Sequence, residues 1–254
     1  MLVVIAAVAA LMLVTWTIGV LIRDVSIVDI VWGLGFVISG WVAYATCDDA
    51  AGSAGKLLLA CVTLWGLRLS AYLARRNLGH GEDARYQAMR RKRPDTFWLY
   101  SLASVFAVQA VIMLIVGLPV TLGVRRDSGS IGVIAAAGAL LWAVGVFFEA
   151  VGDAQLAAFK ADPASTGQVM DRGLWRYTRH PNYFGDFAVW WGLWLIAMDC
   201  GAPLWTIAGP ALMSYFLLRV SGVAMLERTI GRRRPGYEEY VRRTSAFFPR
   251  PPKK

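Results

Sequence analysis

Apolar runs near twenty residues recur along this chain, and each is long enough to cross a bilayer as an α-helix. A backbone in hydrocarbon must satisfy its own N–H and C=O groups, so such runs fold as helices. Of the 254 residues 57% are hydrophobic and only 17% charged, too few to solvate an ordinary globular surface. Mean hydropathy is +0.51. The expectation is an all-α polytopic membrane protein with about seven transmembrane helices, built as a single membrane domain over residues 1–254.

The predicted spans are 1–22, 26–46, 57–74, 97–122, 131–150, 183–199 and 203–226, the fifth continuing as helix to Lys160. No basic residue precedes Arg23, so residues 1–22 are expected to be a span and not a cleaved signal. Basic residues concentrate at 75–93, 160–179 and in the tail from Glu227, every second connection. The positive-inside rule then puts the N-terminus outside and the C-terminus in the cytoplasm of a cell inner membrane. The formal charge of +9 suits a membrane surface better than nucleic acid, because its basic residues flank apolar runs. Cys47, Cys61 and Cys200 lack metal-ligand spacing, so no metal site is expected.

One polar stretch, Gly173-Leu-Trp-Arg-Tyr-Thr-Arg-His-Pro-Asn-Tyr-Phe-Gly-Asp186, carries more chemistry than topology needs. Pro181 suits a first helical turn, and a helix starting there aims free N–H groups back at Arg176, Arg179 and His180. That arrangement binds phosphate or carboxylate. Arg179, Tyr183 and Asp186 have the spacing of one helical face, and Asn182 lies four residues from Asp186. Glu149, Asp153 and Lys160 share a face of the fifth helix, where acids can grip ribose hydroxyls and the lysine a phosphate. Arg219 lies within the seventh apolar run, and an ionisable residue inside a span usually faces the bundle interior; Glu227 follows it. Nearer the membrane interior are Asp29, Trp65 and Arg68. In an apolar helix turn Asp29 can stay protonated and donate to a substrate carbonyl, or it can pair with Arg68 or Arg23 and only join helices. His80 lies in a turn-rich loop. Nucleophile motifs and a Rossmann fingerprint are absent.

Arg179-His-Pro-Asn-Tyr-Phe-Gly-Asp186, then Leu226-Glu227 and Gly236-Tyr-Glu-Glu-Tyr-Val-Arg-Arg-Thr-Ser-Ala-Phe-Phe-Pro249, resemble the steroid 5α-reductase C-terminal superfamily. Ser26-Ile-Val-Asp-Ile-Val-Trp32 and Leu64-Trp-Gly-Leu-Arg-Leu69 resemble its bacterial DUF1295 branch. The resemblance implies a seven-helix enzyme that uses NADPH to reduce a carbon–carbon double bond conjugated to a ketone. It implies that Asp153, Lys160, Arg179, Asn182, Asp186 and Arg219 match cofactor-pocket positions, with Tyr183 and Glu149 beside them. Arg176, His180, Glu227 and Tyr237 are assigned to the same cofactor set. Residues 131–254 are then the cofactor-binding half, and residues 1–122 take a hydrophobic, lipid-like substrate from the bilayer. Asp29, Trp65 and Arg68 are the catalytic candidates; the reductases carry a Gln-Glu pair and a Tyr where this chain offers Asp29 and Trp65. The Arg-His-Pro-x-Tyr-x-Gly core is also similar to isoprenylcysteine and phospholipid methyltransferases, which bind S-adenosylmethionine. A non-enzymatic lipid-binding membrane protein is the third expectation.

Overall fold

The computed structural model describes residues 1–47, 52–126, 130–220, 223 and 236–253. Among them the secondary structure is helical throughout. The long helices are α1 (Leu2–Leu21), α2 (Ile27–Ala45), α3 (Ser53–Asn77), α8 (Val133–Ala161) and α9 (Pro181–Asp199). Between α3 and α8 lie α4 (Ala84–Lys92), α5 (Phe97–Ser101), a π-helical turn Leu102–Ala107, α6 (Val108–Val116) and α7 (Leu118–Val124). After α9 come α10 (Ala208–Tyr215), a second π turn Phe216–Val220, and α11 (Tyr237–Arg243).

Among the described residues, five segments are long and apolar enough to cross a membrane: α1, α2, α3, Phe97–Val116 and α8. The predicted fourth span ends early because the chain breaks at Gly117 and restarts as α7, with Pro119 in its first turn. α8 runs unbroken through 29 residues, as its sequence predicts. The shorter apolar segment Leu204–Val220 corresponds to the start of the predicted seventh span; residues 224–226 of that span lie outside the described residues.

The chain divides into two compact units, Met1–Ala135 with Ile196–Gly209, and Ala136–Leu195 with Pro210–Lys254. In the first, α1 buries a stripe of Val4, Val8, Met12, Thr15 and Gly19, one side of a helix. Its other side exposes Val3, Leu13, Val14, Ile18 and Leu21. Lipid tails are as apolar as these side chains, so helix association here depends on close packing. α2 and α3 meet backbone to backbone: a Cβ added at Gly33 would lie 2.4 Å from the Gly66 carbonyl oxygen. In the second unit the same device repeats between α8 and α9. A Cβ at Gly145 would lie 2.6 Å from the Gly185 carbonyl, and one at Gly192 would lie 2.6 Å from that of Gly138. Glycines at 138, 145 and 152 and at 185 and 192 recur every seven residues, so each helix presents a smooth stripe.

Candidate functional site

The α8–α9 seam lines up the acids of the second unit. Glu149 and Asp153 are both buried on α8. The Asn182 amide donates to Asp153 Oδ1 at 3.4 Å, joining residues 29 apart in sequence. A Cβ at Gly185 would lie 2.6 Å from the Glu149 nitrogen, which shows how closely α9 passes that acid. Asp186 follows one residue later, half-buried. The His180 ring stacks on Tyr183 at 5.5 Å and 13°.

Arg179 is buried but lies just before α9, which starts at Pro181, so it does not share a helical face with Tyr183 and Asp186. Its Nη1 donates to the carbonyls of Val241 and Thr244 at 3.1 and 2.7 Å, satisfying the C-terminal end of α11. Its backbone N–H donates to Ser245. The Thr178 hydroxyl donates to Phe247, Tyr240 to Trp175, and Arg243 forms an ion pair with Asp171 at 2.6 Å. The 171–180 stretch is therefore the cradle of the C-terminal segment. Burial pushes the Tyr240 hydroxyl above its ordinary pKa, with the neighbouring Tyr237 acting in the same direction. Tyr237, assigned to the cofactor set, is buried with its ring 5.9 Å from that of Tyr240.

Lys160 and Arg176 are exposed. Arg219 is exposed as well, on the second π turn, so it does not face an interior as a mid-span arginine was expected to. Glu227 lies outside the described residues. The donor set fits a nucleotide in part: the buried acids and Asn182 suit ribose hydroxyls or a carboxamide, and the exposed Lys160 and Arg176 carry the charge that suits phosphates.

The first unit holds a separate cluster. Asp29, in the first turn of α2, pairs with neither Arg23 nor Arg68. It accepts from Arg85 Nη2 at 2.8 Å and from the Tyr86 hydroxyl at 3.0 Å. Gln109 donates to the Tyr86 oxygen at 3.4 Å. Beside this pair, Glu82 receives Arg90 through two nitrogens at 2.9 and 2.6 Å and the Val25 N–H at 3.0 Å. Asp83 caps α4 by accepting from Arg85 N. Burial opposes the Arg85 charge, but the Asp83 hydrogen bond and the Asp29 carboxylate outweigh it and hold the guanidinium protonated. Burial, then the Asp29 charge, push the Tyr86 hydroxyl well above its ordinary pKa. Trp65 is fully buried, 5.9 Å from the Phe36 ring, and Arg68 lies over Tyr72 at 5.7 Å.

Arg85, Tyr86, Glu82 and Gln109 escaped the sequence reading. The one available signal was two acids directly before a basic helix, Glu82-Asp83-Ala-Arg-Tyr86, which reads as a cap and says nothing of a partner in α2.

The family described as "Protein of unknown function (DUF1295)" matches residues 15–244. The chain belongs to the DUF1295 family. No curated protein and no solved structure matches it. For this DUF1295 chain, what the site does has to be argued from its own residues.

Proposed function

We propose that the protein is a membrane-embedded reductase that uses NADPH to reduce a carbon–carbon double bond conjugated to a carbonyl in a lipid-like substrate. The observation that carries this reading is the Asn182–Asp153 contact between α8 and α9. It joins two of the positions whose motif resembles the steroid 5α-reductase cofactor pocket. When bound, NADPH would supply the hydride that such a reduction requires, and the balancing proton would come from water or an acidic side chain. The chain's part is to hold the cofactor and to manage charge on the carbonyl oxygen. Glu149 and Asp153 accept from ribose hydroxyls or a carboxamide, Asn182 orients them, and Lys160 and Arg176 meet phosphates. Asp29, Trp65 and Arg68 remain the substrate-side candidates. The Tyr86 hydroxyl joins them as the proton-bearing group that touches Asp29.

We read the membrane arrangement as about seven spans in the inner membrane, N-terminus outside and C-terminus cytoplasmic, with α9 and the helix from Leu204 as the sixth and seventh. Reporter fusions after residues 50 and 88 should report opposite sides; same-side signals would overturn this.

A second reading has one observation in its favour. The buried side chains at the seam are rich in acids, Glu149 and Asp153 with Asp186 beside them, and a cationic ligand such as S-adenosylmethionine suits that set. Thermal unfolding of the purified protein separates the readings. A ligand at a hundred times its Kd stabilises by about 2.7 kcal/mol. Stabilisation by NADPH, with NADPH oxidation on adding an enone lipid, is the expected result. Stabilisation by S-adenosylmethionine alone would replace the reductase with a methyltransferase. Stabilisation by neither would leave a non-enzymatic lipid-binding protein.

A further inference from the structure

The α3–α4 connection sorts its charges into two sets. Glu82 is bound by Arg90, and Asp83 and Asp29 are bound by Arg85. These arginines are paired at the joint between α4 and the start of α2, Arg85 about half exposed and Arg90 on the nearly buried Glu82. The cations left over are Arg75 and Arg76 at the end of α3, and Arg91, Lys92 and Arg93 at the end of α4, all five exposed. Asp95 is the exposed acid beside them. Arg85 and Arg90 take up Asp29, Asp83 and Glu82, and the remaining exposed cations outnumber Asp95.

That face also carries apolar groups in the open. Leu78, Trp98 and Leu99 are 61%, 51% and 55% exposed. Arg93 lies over the Tyr100 ring at 4.2 Å and Arg76 over Tyr72 at 5.7 Å, so each guanidinium is within cation–π reach of an aromatic ring. Exposed tryptophan and leucine beside arginines match the boundary between acyl chains and headgroups.

We propose that this face docks anionic phospholipid headgroups, with Arg91, Lys92, Arg93, Arg75 and Arg76 on the phosphates and Leu78, Trp98 and Leu99 in the acyl boundary. The proposal stands apart from the reductase reading, because none of the eight side chains it places on the lipid is assigned to cofactor or substrate.

The test uses the full chain purified in detergent and counts bound lipid by native mass spectrometry. Short-chain phosphatidylglycerol, short-chain phosphatidylcholine and inorganic phosphate are titrated separately. Phosphatidylglycerol should bind at least tenfold more tightly than phosphatidylcholine. Each juxtamembrane charge removed weakens such binding by roughly fivefold, so Arg91→Gln with Lys92→Gln should weaken it by about twenty-five-fold. Arg242→Gln, an exposed change in the other unit, should leave it unchanged. Neither Arg91 nor Lys92 holds α4 in place, so unfolding in lipid-free detergent should match the parent. If it does not, Arg75→Gln with Arg76→Gln decides on the same criterion. Equal affinity for the two lipids, or no loss in the variants, overturns the proposal. Displacement of phosphatidylglycerol by equimolar inorganic phosphate overturns it too, in favour of a site for free anions.

Discussion

In the first unit, Asp29 and Glu82 receive arginine nitrogens at 2.8 and 2.6 Å, and the joint between α4 and α2 balances its own charge. In the second unit, Glu149 and Asp153 lie along a glycine seam near an amide, Asn182. The buried arginine there, Arg179, turns Nη1 to the backbone carbonyls of α11. The charges of the first region explain themselves as a structural joint. Those of the second line a close helix–helix seam beside the motif that resembles a cofactor pocket. Buried ionisable groups at such a place are candidates for ligand contact.

The sharpest way to break this comparison is to spoil the seam. Gly185→Val would drive a side chain into the Gly145 carbonyl and the Glu149 nitrogen, both 2.6 Å from the added Cβ. Backbone cannot retreat as a flexible side chain can, so the expected loss is ~3 kcal/mol or more. It should appear as a lowered unfolding midpoint together with loss of ligand stabilisation. Gly79→Val has open space around its Cβ and should give a much smaller loss, from its positive φ alone. Equal effects at the two glycines would remove the seam from the argument.

Arg179→Ala comes next. One nitrogen serves both carbonyls, so about 2 kcal/mol is the expected loss. Hydrogen exchange should rise across 237–250 before it rises in α9. Weakened NADPH binding with unchanged exchange in that segment would instead return Arg179 to the ligand.

Asp29→Ala tests the other region. Arg85 is about half exposed and its ion pair adds little. The Tyr86 hydroxyl is buried, and losing its acceptor should cost about 1.5 kcal/mol. If Asp29 is only a joint, surviving protein keeps its activity. If Asp29 belongs to the reaction, NADPH still binds and single-turnover oxidation fails.

The first five apolar runs were readable as candidate spans because a run of twenty apolar residues has few other uses, and Pro181 announced the start of α9 by its missing N–H. Partners were not readable. Arg85 and Tyr86 reach Asp29 across 56 and 57 residues, and any nearby arginine would have served a sequence argument equally well. That Arg179 reaches the α11 carbonyls was not readable, because a side chain that caps backbone carbonyls has the same composition as one that binds phosphate. The glycine stripes on α8 and α9 hid in a chain with 25 glycines, where a seven-residue spacing shows only once both helices are known to pack. Arg219 was expected inside because its neighbours are apolar, yet it is exposed on the π turn Phe216–Val220.

The smallest expected effect compares the two clasp tyrosines, Tyr86 and Tyr240, both held above their ordinary pKa by burial. Tyr240 donates to a backbone carbonyl, that of Trp175, and needs its proton to do so. Its folded pKa is raised above the unfolded value, so its contribution is complete below about pH 10 and is lost as pH rises through the folded pKa. Tyr240→Phe should therefore cost about 1 kcal/mol at neutral pH. It should also flatten the alkaline loss of protection in the 171–180 stretch, read by hydrogen exchange or by Trp175 fluorescence. Tyr86→Phe should leave that stretch untouched, since its hydroxyl serves Asp29 in the other unit. An alkaline transition of the tail that persists unchanged in Tyr240→Phe would show that the clasp rests on Arg179 and Thr178 alone.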